Sequence, residues 1–114
     1  MEQIVDLQSD DQFQGLNVQL VNINMDSVPL QEQQAQYWGI PTPMLADEDL
    51  TVSGQYGVLR WGMANGEPGH TFVLVGKDGL VKGIKDYGGR ENGMLMYVEP
   101  SRIYRDIAPW VRQQ

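Results

Sequence analysis

The sequence predicts an α/β layered domain, and three observations carry that prediction. Lys77-Asp78-Gly79 separates two apolar runs, residues 71–75 and 80–84, and Asp-Gly between such runs is a hairpin signal. Val18, Leu20, Val21 and Ile23 form a short, partly β-branched run that reads as a buried strand. Ile103, Ile107, Trp110 and Val111 fall at i, i+4, i+7 and i+8, one face of a terminal helix. With 114 residues the chain is read as a single domain, 1–114, in which helices and strands alternate.

The elements follow in order. Residues 2–14 read as a helix with Ile4, Val5, Leu7 and Phe13 apolar and Gly15 as its stop. Residues 18–23 are the first strand. Asp26-Ser27 offers a cap and Pro29 suits a first turn, so a helix follows. Leu30, Ala35, Tyr37 and Trp38 are expected to face the core, with the glutamines outward. Gly39-Ile-Pro-Thr-Pro43 breaks that helix, residues 44–46 are a short extended stretch, and Asp47 caps a third helix ending near Tyr56-Gly57. Residues 60–70 are loop. The hairpin comes next, then a glycine-rich connection over 86–96, then the helix opened by Pro100. Pro109 cannot donate a backbone hydrogen bond and is expected to kink or end that helix.

Composition narrows the function. There is no cysteine, which removes disulfides, cysteine-type zinc sites and any cysteine nucleophile from these 114 residues. The net charge of −7 argues against a nucleic-acid partner. The first 59 residues carry nine acidic side chains and no Lys or Arg, while all eight basic residues follow. That asymmetry reads first as a solvated acidic surface, and second as a face for a basic partner. No apolar run is long enough to span a membrane. The first residues lack a basic segment followed by a long apolar one, so a cytoplasmic location is expected.

Several stretches together resemble one family. Gln36-Tyr-Trp-Gly-Ile-Pro-Thr-Pro-Met-Leu-Ala-Asp47 and Gly69-His-Thr-Phe-Val-Leu-Val-Gly-Lys-Asp-Gly79 look like peroxiredoxins and redoxins, the alkyl hydroperoxide reductase/thiol-specific antioxidant family. Residues 15–27, Gln55-Tyr56-Gly57-Val58, Asp86-Tyr87-Gly88 and Met96-Tyr97-Val98 add to the resemblance in the right order. One departure is Val75-Gly76, which stands where the family usually has Ile-Asp.

The resemblance implies a thioredoxin-like α/β/α layered fold and a thiol oxidoreductase. Such an enzyme reduces peroxides or disulfides, has an antioxidant role, needs no cofactor, and takes electrons from a thioredoxin-type reductant. In that family the catalytic cysteine follows the first strand, and Met1-Glu-Gln-Ile-Val-Asp-Leu resembles the helix just downstream. The chain is therefore expected to be the C-terminal part of a longer protein, a truncated domain lacking the first strand and the cysteine turn. The rival expectation is a redox-inactive module for protein binding or homodimerisation. The absent strand would lie between residues 18–23 and the hairpin. Direct pairing of those two strands is then expected, or a homodimer through the exposed strand edges.

No residue of the chain is assigned as catalytic. Gly69, His70 and Thr71 are the candidate loop facing the active site, by the resemblance, and Trp61 is a candidate pocket wall. His70 has two readings, a partner for thiol or substrate and an ordinary loop histidine. Thr71 reads chiefly as a β-branched strand residue, and Trp61 equally as core. One histidine without clustered ligands gives no metal site. Asp47, Glu48 and Asp49 read as helix-capping charge rather than an acid/base pair. The glycines of 62–69 match no phosphate-binding loop.

Overall fold

The computed structural model describes residues 2–62 and 69–113. The first expected helix is two: α1 spans Glu2–Ser9 and α2 spans Asp11–Gln14. Asp10 divides them, because its extended backbone leaves the helix and its carboxylate caps the Phe13 N–H at 2.9 Å. Strand β1 is Asn22–Asn24 and pairs in parallel with β2, Met44–Ala46. It is shorter than the 18–23 run suggested, since regular pairing starts only where β2 lies alongside.

Between them runs α3, Val28–Trp38. The Ser27 hydroxyl accepts from the Leu30 N–H, Pro29 sits in the first turn, and Gly39 ends the helix in the left-handed region at φ 66°. The α3 face expected in the core is reversed. Gln31 is fully buried, while Leu30, Tyr37 and Trp38 are exposed. Gln31 is held by its Nε2, which donates to the Asp26 carbonyl. Its Oε1 is buried without a partner among the described residues. The helix therefore lays amide rather than apolar surface against the β1–β2 layer.

Helix α4, Thr51–Gln55, is capped as expected by Asp47, whose carboxylate accepts from Val52 and Ser53 N–H and from the Ser53 hydroxyl. A 3-10 turn, Val58–Trp61, follows. Part of the expected loop, residues 63–68, lies outside the described residues. The hairpin forms with β3 at Thr71–Val75 and β4 at Val81–Asp86, in antiparallel register with a bulge at Leu74/Val75. Gly79 makes the turn at φ 80°. Helix α5, Pro100–Arg112, runs through Pro109 instead of ending there. No described helix is long and apolar enough to cross a membrane.

The core sits between the hairpin and α1, α2 and α5. Leu7, Phe13, Leu74, Tyr87, Val98, Ile103 and Ile107 are buried there, with Trp110 and Val111 packed at its margin. Tyr87 is wholly enclosed, and its hydroxyl donates to the Asp106 carboxylate at 2.8 Å. Burial and that bond hold its phenol well above its ordinary pKa.

The expected direct pairing of residues 18–23 with β3 does not occur. Among the described residues the strands form two separate two-stranded sheets, β1–β2 and β3–β4. In the parallel ladder, Asn22 and Asn24 bond toward β2, so the Ile23 backbone groups point the other way. In the hairpin, the Tyr87 N–H donates to the His70 carbonyl, so Thr71 and Val73 point away from β4. Residues 18–21 form no regular strand, and the two edges border a space lined by Leu7, Phe13, Val18, Leu20, Phe72 and Leu74.

The core assignment has a direct check by urea denaturation. Ile103→Ala should lower stability by about 2–5 kcal/mol, because Ile103 is 0% exposed. Tyr37→Ser should stay within about 0.5 kcal/mol, because Tyr37 is 83% exposed.

Candidate functional site

The gap between the two sheets is a cleft of about 850 Å³. Val18, Leu20, Ile23, Phe72 and Leu74 give it an apolar wall, and Gln3, Gly69, His70 and Thr71 form a polar end. The structure thus brings the three candidate loop residues together on one cavity. Trp61 stands off that wall. Its ring packs against Gly89, its indole N–H donates to Glu91 at 2.7 Å, and the Arg60 guanidinium lies 3.9 Å above it. Among the described residues no His, Asp or Glu cluster could hold a metal ion.

The polar end is built around Asp86, the last residue of β4 and a buried one. Its carboxylate accepts from the Thr71 hydroxyl at 2.6 Å, the Gly89 N–H at 2.7 Å, the Asn92 amide at 2.8 Å and the Gly88 N–H at 3.4 Å. Burial opposes its ionisation, but these donors outweigh burial and hold the carboxyl below its ordinary pKa. The tight turn also needs Gly88, where a side chain would collide with the His70 backbone. Asp86 therefore ties the β4 end to the β3 start and fixes where His70 leaves the sheet.

His70 is half-buried, with its ring edge-to-face on Phe72 at 5.3 Å. Its Nε2 lies 2.9 Å from Gln3 Oε1. Burial pushes its pKa down, and the nearby Asp86 charge opposes this without reversing it. Burial thus favours the neutral ring, which acts as a hydrogen-bonding group.

Sequence reasoning missed Gln3 and Asp86. Asp-Tyr-Gly-Gly at a strand end carried a usable signal, an acceptor for a tight turn's N–H groups. Gln3 carried none, because its partner is 67 positions away.

Comparison with known proteins follows the same lines. The sequence model of the AhpC/TSA family matches residues 2–84. Among solved structures the chain is similar to Mycobacterium tuberculosis AhpC, with a TM-score of 0.69 at 19% identity. That match covers 95% of this chain and 60% of the other. It supports a partial thioredoxin-like α/β fold. No curated protein matches the chain.

Acid should weaken the fold in two stages. His70 has a folded pKa below its unfolded value, so its contribution is present above about pH 6.5 and falls as pH drops through that region. Asp86 is likewise depressed, so its contribution is present above about pH 4 and is lost below. Asp86→Asn should cost about 1–3 kcal/mol at pH 7. Its stability profile below about pH 4 should also be shallower than that of the parent chain, read by denaturant titration at each pH.

Proposed function

Since the chain belongs to the AhpC/TSA family, matched over residues 2–84, we propose that it forms the substrate-facing part of a redoxin-like thiol oxidoreductase. The single observation that carries this is the cleft, an apolar slot between two open strand edges whose polar end holds Gly69, His70 and Thr71. The chain has no cysteine, so the thiol would come from outside these 114 residues, on an extended strand and turn laid into the slot. Backbone groups of Ile23, Thr71 and Val73 would pair with that strand. The thiol would then attack a peroxide or a disulfide beside His70, with a thioredoxin-type protein as reductant and the cytoplasm as its setting.

A second reading keeps the same slot and drops the chemistry. In it the chain is a redox-inactive module that binds a protein partner or a second copy through the open edges. Ile23, Leu45, Val75 and Val81 are exposed along the strands and favour such a contact. Light scattering discriminates the self-associating form, which would appear as a dimer.

The purified chain should consume no peroxide above buffer in a thioredoxin-coupled assay, and turnover there would overturn the thiol requirement. A chain extended at its N-terminus by an apolar strand and a cysteine-bearing turn should gain an alkylatable thiol. In that extended chain, His70→Ala should slow alkylation at pH 7 by about a hundredfold, the lower end of what a positioned proton acceptor contributes. Equal rates would leave His70 out of the chemistry.

A further inference from the structure

We propose that Gln3 is a positioning residue that fixes His70 as its Nε2–H tautomer, leaving Nδ1 as the proton acceptor on the cleft. The role of that acceptor rests on the thiol reading above; the tautomer itself does not.

The inference starts from the Gln3 amide, which is buried and clamped to the backbone of one residue, Val98. Its Nε2 donates to the Val98 carbonyl at 2.9 Å, and its Oε1 accepts from the Val98 N–H at 2.8 Å. A reversed amide would set donor against donor and acceptor against acceptor, so the clamp identifies which end is oxygen. The atom 2.9 Å from His70 Nε2 is that oxygen. An amide oxygen only accepts, so His70 Nε2 must carry the hydrogen. In the neutral ring Nδ1 then holds the free lone pair.

Among the described residues no group competes for the other arrangement. The Asp86 carboxylate, the anion nearest in electrostatic effect, is engaged by Thr71, Gly88, Gly89 and Asn92 and does not bond the ring. His70 Nδ1 has no hydrogen-bond partner among the described residues. The ring is held by Gln3 at one nitrogen and by the Phe72 edge contact, while the Tyr87 N–H bond to the His70 carbonyl holds its backbone. A thiol laid against Nδ1 would pass its proton to that nitrogen, giving a thiolate and a doubly protonated imidazolium. The Nε2–H would stay on Gln3 throughout.

Long-range proton–nitrogen NMR correlation on the chain as it stands, above pH 7.5, reads the tautomer without any thiol. The parent chain should show a protonated Nε2 and a bare Nδ1. Gln3→Ala should shift the tautomer ratio by about fivefold toward Nδ1–H, the worth of one net hydrogen bond. Gln3→Glu keeps the acceptor and should restore the parent pattern. A parent spectrum with Nδ1 protonated overturns the proposal even if Gln3→Ala fails to fold, and so does an unchanged ratio in a folded Gln3→Ala. Failure of the thiol reading would leave these spectra unaltered, so the two are separable.

Discussion

Everything in this chain depends on one constraint: its two sheets share no backbone hydrogen bond. A sheet normally transmits order sideways through its ladder. Here, among the described residues, β1–β2 and β3–β4 are held in place through side chains, including the Gln8–Thr42 hydrogen bond. The packing is uneven. The hairpin leans on α1, α2 and α5 through a continuous apolar cluster centred on Leu7, Tyr87 and Ile103. The β1–β2 layer has α3 instead, with buried Gln31 and an unpartnered Asn22 amide, groups that cost free energy when left unbonded. The hairpin half is the better-founded half, and the polar end of the cleft is built on it.

That arrangement gives the polar end of the cleft a dense set of hydrogen bonds. Asp86 gathers four donors at the hairpin mouth, and Gln3 reaches across from α1 to both Val98 and His70. The Gln3 bonds join residues far apart in sequence, so the position of His70 reports the packing of α1 against the hairpin. Tyr97, whose hydroxyl donates to Asp6 at 2.5 Å, strengthens the same junction, and that bond raises its pKa to about 12. The acidic first half of the chain thus contributes specific acceptors to the basic second half.

Much of the fold was legible because its signals are local. The Asp78-Gly79 turn, the Ser27 cap with Pro29, the Gly39 stop, the Asp47 cap and the apolar face of α5 each depend on neighbours within about one turn, and each formed. What failed was decided at a distance. Asp10 split the first helix through a side-chain bond that competes with helix continuation. Gln31 of α3 is buried with its amide bonded to the Asp26 carbonyl, while Leu30, Tyr37 and Trp38 stay exposed, and no local spacing signalled that face. Of the candidate site, Gly69, His70 and Thr71 were named through resemblance and line the cleft, whereas Gln3 and Asp86 emerged only once the hairpin, α1 and the 86–92 turn were assembled. Trp61, a candidate pocket wall from the sequence, packs its ring against Gly89.

Hydrogen exchange at single amides tests the central claim most directly, in a sample shown to contain one chain per particle. Two separate sheets require the Phe72 and Leu74 amides, which face β4, to be protected. The amides of Ile23, Thr71 and Val73, which face the cleft, should exchange at nearly unprotected rates. Comparable protection at all five positions would contradict the account, because it would mean that the two sheets are joined through their backbones.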